Sequence, residues 1–251
     1  MLTFIQFGSD GGTLPKPATM QSILLGPAER ADLLVDFTGL DNQTVTMMNN
    51  APAPYPGWAS MAMNAPRMDE LMQFRVILPR KPSKAPLKVF SVGSSPLPFA
   101  KYSEKDAIKT RDFVLVEHMD EHGRSLGVKI NERGYDDPVT EIVKIGTLEK
   151  WRFINTTEDA HPMHLHLVQF QVLHRQGFDY MQFAKGNIQP VGLVRPPSSG
   201  ESGWKDTAIV TPNEILSILV KFEGYTGKFV FHCHMLEHED NDMMRPFVVT
   251  T

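Results

Sequence analysis

Two short segments hold most of the residues in this chain that could do metal chemistry. HCHMLEHEDNDMM, His232 to Met244, sets the chain's one cysteine between two histidines and follows it with a third histidine, His238, behind which stand two methionines. HPMHLH, His161 to His166, holds three more histidines. On a β-strand, alternate side chains point to opposite faces. His232 and His234 would therefore look one way and Cys233 the other. His164 and His166 share the same two-residue spacing, while His161 precedes Pro162 in an extended stretch that can turn it elsewhere. The Cys233 face can be completed by His161, His238 and Met243. A thiolate, two imidazoles and a weak axial thioether are the ligand set of a blue-copper electron-transfer site. The pairs His164/His166 and His232/His234 would line a second, all-imidazole site suited to more copper.

The elements that must position these groups read as β-structure. Runs such as TFIQF, ADLLVDF, QFRVIL, DFVLVEH, WRFINT, HLVQFQVL, ILSILVKF and KFVFHCH are bounded by Gly, Pro, Asn or Asp turn chemistry. Sustained helical periodicity is absent, and the short helix candidates lie around Asp69 to Gln73 and Leu236 to Asp240. The pattern is that of an all-β sandwich or barrel. The proline-rich, basic stretch PRKPSKAP between Leu78 and Leu87 cannot pair inside a sheet and reads as an exposed linker, with the domain boundary placed at 81–88. Residues 1–80 would form a small or incomplete β unit, and 89–251 a complete sandwich domain.

The 251 residues are 41% hydrophobic, enough for real cores. A net charge of -4 and the lack of a long basic run argue against nucleic acid as a partner. No apolar run approaches the roughly 20 residues of a membrane-spanning helix, so no membrane crossing is expected of these residues. One cysteine makes no internal disulfide. The opening MLTFIQFGSDGG has neither the basic nor the apolar region of a signal peptide and reads like the inside of a domain.

The pattern H-P-x-H-x-H followed by H-C-H-x3-H-x4-M resembles the C-terminal signature of the multicopper oxidases. The segments FIQFGSDGGTLP, PAERADLLVDF, GWKDT and HCHMLEHEDNDMMRP are similar to the bacterial spore-coat laccase and bilirubin oxidase group. That resemblance implies a cupredoxin-like Greek-key β-sandwich, preceded by the later part of another cupredoxin domain. It implies His161, Cys233, His238 and Met243 as type 1 copper ligands, His164 as a type 2 ligand, and His166, His232 and His234 as type 3 ligands. Glu239 matches an acidic residue thought to deliver protons to the oxygen site. The implied activity is one-electron oxidation of phenolic or aromatic amine substrates coupled to reduction of O2 to water. His238 would be the ligand edge nearest the substrate.

In this family half of the oxygen-site histidines come from H-x-H pairs in a first domain. Six of the nine histidines here lie in the two motifs, and His118, His122 and His174 form no H-x-H pair. The expectation is a C-terminal portion whose oxygen site is completed by an N-terminal domain or by a second chain. A non-catalytic type 1 copper protein, carrying electrons or sequestering copper, is the competing function, and a structural coat component a third. His118 and His122 read as a solvated hairpin tip and His174 as a strand end. Met61, Met63, Met68 and Met72 suit packing or loop roles better than a soft copper-binding loop, and Met244 suits packing.

Overall fold

The computed structural model describes residues 2–57, 68–77 and 99–251, so the 81–88 linker and Met61 and Met63 lie outside the described residues. The architecture is all-β, as expected. β1 (Phe4–Ser9), β2 (Gly12–Met20) and β3 (Ala31–Val35) form a three-stranded sheet in the order β2-β1-β3, and β4 (Thr44–Met48) pairs with β5 (Glu70–Arg75). Two larger sheets follow. One runs β12 (Pro190–Arg195), β11 (Phe170–Phe178), β14 (Glu214–Lys221), β9 (Leu148–Asn155), β6 (Lys109–Met119), β7 (Ser125–Ile130). The other runs β13 (Thr207–Val210), β10 (His161–Leu165), β15 (Gly227–Cys233), β16 (Met244–Thr250), β8 (Glu141–Lys144). The β6/β9 and β16/β8 pairs are parallel.

One apolar core joins these two sheets. Phe113, Trp151 and Phe153 from the six-stranded sheet share it with Phe231, Cys233 and Phe247 from the five-stranded sheet. The Trp151 ring lies 4.6 Å from Phe113 and 5.2 Å from Phe231, centroid to centroid. Tilted and edge-on aromatic pairs of this kind add about 0.5–1.5 kcal/mol each beyond their burial. The indole N–H of Trp151 finds its acceptor in Glu149 at 2.9 Å, and Arg111 neutralises that buried carboxylate at 2.6 Å. The strands that carry the histidines therefore sit on an aromatic floor that admits little displacement.

One expectation fails. Residues around Asp69 to Gln73 are strand, not helix: Met47 pairs with Met72 and Val45 with Phe74, so cross-strand hydrogen bonding outweighs local helix preference. Met68 and Met72 are both exposed, Met68 in the stretch before β5 and Met72 on it. The second expected helix is present as α2 (Leu236–Asp240), after α1 (Tyr180–Phe183) earlier in the chain. No helix among the described residues is long and apolar enough to cross a membrane.

The β1–β3 sheet is held to the five-stranded sheet by buried charge. Lys205 Nζ lies 3.0 Å from both Asp10 Oδ2 and Glu29 Oε1, and all three side chains are buried. Gly11 sits so close that a Cβ there would come within 2.6 Å of Gln169 and Trp204 side-chain atoms. Removing one member of a buried ion cluster leaves an uncompensated charge. Lys205→Met is therefore expected to destabilise the chain by about 3–5 kcal/mol in denaturant melts. Lys221→Met, which loses only an exposed pair with Glu223, should cost under about 1 kcal/mol.

Candidate metal centre

The pairing of β10 with β15 builds the site. In register, Met163 faces Cys233, His164 faces His232 and Leu165 faces Phe231. The odd-numbered positions His161, Met163 and Leu165 of β10 and Phe231 and Cys233 of β15 are all buried. Their even-numbered neighbours turn to the opposite face. One strand pair thus serves two donor sets, back to back.

On the buried side, His161 Nδ1 and His238 Nδ1 lie 3.1 Å apart, and each is 3.6 and 3.7 Å, respectively, from Cys233 Sγ. Donors about 2.0–2.3 Å from a shared first-row metal present edges of this length. His238 arrives on α2, and the segment from Cys233 to Met243 is closed by its own backbone. Cys233 N–H donates to Met243 O at 3.0 Å, and Met243 N–H donates to His238 O at 2.9 Å. Met243 is fully buried in the same core cluster as Cys233. Two imidazoles, one thiol and a thioether brought together in this way fit copper.

On the other side, His164, His166 and His232 each offer a ring nitrogen within 4.8 Å of the others. His166 Nε2 lies 3.2 Å from His232 Nε2. The His234 ring stands 5.6 Å from that of His164 and 5.3 Å from that of His232, so it borders the cluster without sharing its donor atoms as closely. His232 Nδ1–H donates to Cys233 O at 3.0 Å, which leaves Nε2 for a ligand role. Glu239 Oε2 lies 3.3 Å from the same Nδ1.

His164 is held by a network that reaches back to the first sheet. Its Nδ1 is 2.9 Å from Thr207 Oγ1 and 3.0 Å from Asp206 O. Thr207 Oγ1–H donates to Asp206 Oδ1 at 2.9 Å, and Arg30 grips both Asp206 oxygens at 2.7 and 2.6 Å. Burial alone would raise the Asp206 carboxyl, yet hydrogen bonds from Arg30, His164 and Thr207 hold it well below the usual carboxylate range. Arg30, Thr207 and Asp10, which accepts from the Asp206 and Thr207 amides, carried no site assignment from the sequence. The FIQFGSDGG and GWKDT segments turn out to be two sides of one contact.

His118 and His122 stay outside both sets, exposed at the β6–β7 hairpin with Glu132 and Glu121. His174 corrects the strand-end reading: it lies within β11 at a register shift, half-buried. Met244 opens β16 opposite His232 and is half-buried.

The family model described as "Multicopper oxidase" matches residues 109–251. The chain belongs to the multicopper oxidase family. Copper is the cofactor of these oxidases, and the two donor sets are groups that could hold it. The chain is 39% identical to the laccase of Bacillus subtilis over 251 residues, covering 98% of this chain and 46% of that protein. It is 38% identical to a laccase of Haloferax volcanii, covering 92% and 35% respectively. The chain thus spans about half the length of such relatives, or less. Among multicopper oxidases of known structure, McoA from Aquifex aeolicus superposes with a TM-score of 0.73 at 26% identity, over all of this chain and 50% of that one. A Campylobacter jejuni multicopper oxidase described as a metallo-oxidase gives 0.71 at 25% identity, over 99% and 49%. These likenesses make the sandwich cupredoxin-like.

Burial sets the protonation of the metal-free donors. The Cys233 thiol is pushed up to about 12, chiefly by burial. Burial pushes His161 far below its ordinary value and lowers His238, so both rings are neutral at pH 7. A metal ion entering this set at pH 7.5 therefore displaces one proton, from sulfur. Calorimetric titration with Co²⁺ in buffers of different ionisation enthalpy is expected to show about one proton released per ion, with affinity rising about tenfold per pH unit. Cys233→Ala should release none. Zero release from the unaltered chain would mean that the thiolate is already formed.

Proposed function

We propose that this chain carries the electron-entry site and half of the oxygen site of a laccase-type oxidase. On this reading His161, Cys233, His238 and Met243 hold type 1 copper, His164 holds type 2 copper, and His166, His232 and His234 hold part of a type 3 pair. The observation that carries the reading is the back-to-back placement of a Cys/His/His set and an imidazole set on one strand pair. Copper bound in these sets would supply one-electron uptake from phenolic or aromatic amine substrates and reduction of O2 to water.

The protein's own residues divide the remaining work. His161 is buried and His238 only partly so, which makes the His238 ring the edge a substrate can approach. The segment His232–Cys233–His234 joins the two donor sets through covalent bonds. Glu239 is partly exposed and 3.3 Å from His232, so it can hold a proton between solvent and the imidazole cluster. The remaining oxygen-site imidazoles would come from an N-terminal domain or a second chain.

Copper analysis, a visible spectrum and oxygen uptake on the purified chain test this reading together. The expected result is a thiolate-to-copper absorption band without sustained oxygen consumption. A full complement of copper with rapid turnover by this chain alone would overturn the half-site reading, and copper loading with no thiolate band would overturn the type 1 assignment.

The carboxylates acting on His238 are Asp159, Glu117 and Glu237. Their field should favour cationic electron donors. Anaerobic stopped-flow reduction of the copper-loaded chain is expected to run faster with a cationic aromatic amine than with a sulfonated anionic aromatic of similar potential. Raising the salt should narrow that difference. Equal rates at low salt would remove the field from the account of specificity.

A further inference from the structure

A histidine offers a ligand lone pair on only one ring nitrogen, and the surroundings of His161 decide which. The chain of constraint begins at two backbone carbonyls, which can only accept. Asn155 Nδ2 lies 2.7 Å from Asp159 O and 3.2 Å from Val210 O. The amide nitrogen must face them, so Asn155 Oδ1 must face Thr157, where it accepts from the Thr157 backbone N–H at 2.9 Å. Thr157 Oγ1 is 2.8 Å from that same Oδ1 and 3.2 Å from Asp159 O, both acceptors. Two oxygens only 2.8 Å apart need a proton between them, and Asn155 Oδ1 has none to give, so the single hydroxyl proton of Thr157 is used there. Only a lone pair of Thr157 Oγ1 remains for His161 Nε2, 2.6 Å away. His161 must then be the donor.

We propose that Asn155 and Thr157 are positioning residues that lock His161 as its Nε2–H tautomer and turn its Nδ1 lone pair toward Cys233 and His238. The consequence for metal binding rests on the copper reading above, whereas the tautomer is a property of the metal-free chain. Burial gives the lock its force. Asn155 and His161 are at most 1% exposed and Thr157 is 7% exposed, so no solvent replaces a lost partner. Without the threonine oxygen, Nε2–H has no acceptor, and the ring gains by moving its proton to Nδ1. There it would point at Cys233 Sγ and His238 Nδ1 and close the ligand position. Partners behind a metal-bound histidine commonly matter by 10–100-fold in metal affinity.

Two measurements test this. Long-range ¹H–¹⁵N correlation spectra of the metal-free, ¹⁵N-labelled chain read the tautomer directly, with His161 assigned by the signals lost in His161→Gln. A protonated Nε2 and an unprotonated Nδ1 are expected, and the reverse would overturn the proposal. Co²⁺ titration of folded Thr157→Val should show an affinity about 10–100-fold lower, together with a shift of His161 toward Nδ1–H. Thr157→Ser, which keeps the hydroxyl, should retain most of the affinity and the original tautomer. A folded Thr157→Val with the tautomer and affinity unchanged would overturn the lock. If Thr157→Val does not fold, the tautomer of the unaltered chain decides. An unaltered chain that is Nε2–H at His161 but binds no cobalt would sink the copper reading and leave the lock standing.

Discussion

The two-residue alternation of β10 and β15 is the constraint on which the rest of the structure depends. With Met163 opposite Cys233 and His164 opposite His232, a shift of either strand by one residue would turn the cysteine outward and the histidines into the aromatic core. That register is secured on both sides. Beneath it, Phe231 packs on Phe113 and Trp151. Beside it, β13 and β16 flank the pair, and Met243 returns to hydrogen-bond with the Cys233 backbone. The two donor sets share one strand pairing, and neither can be moved without the other.

The same burial that fixes the Cys233 set also sets the protonation of its donors. Its thiol and imidazoles are kept neutral by desolvation. The imidazole set is built differently. His164 is tied through Thr207 and Asp206 to Arg30 beside the first sheet, so the small N-terminal sheet contributes to the orientation of an imidazole it does not contain. The buried Lys205, with its two carboxylates, keeps that sheet in place. The charged seat and the ligand network are continuous through neighbouring residues 205, 206 and 207.

Much of this was legible in the sequence because alternation is local. HCH and HPMHLH declared their faces without any knowledge of the partner strand, and Leu236 to Asp240 formed the short helix expected there. What was hidden depended on distant pairing. The residues around Asp69 to Gln73 became strand because β4 supplied a hydrogen-bonding edge, and His174 sits within β11 because that strand continues past it. Asp10 meets Asp206 across 196 positions of sequence, a separation no local pattern spans. Nothing local in the sequence marks Asn155 and Thr157, and only the fold shows their hydrogen bonds converging on His161.

The partition of the donors between two faces is tested most directly by visible and electron paramagnetic resonance spectra of copper-loaded variants. Replacing His164 and His166 together should leave the thiolate-to-copper absorption intact, because both belong to the opposite face. Replacing His161 alone should abolish or strongly shift it. Loss of the band in the His164/His166 double variant with the fold intact, or its full retention without His161, would contradict the division of one strand pair into two metal sets.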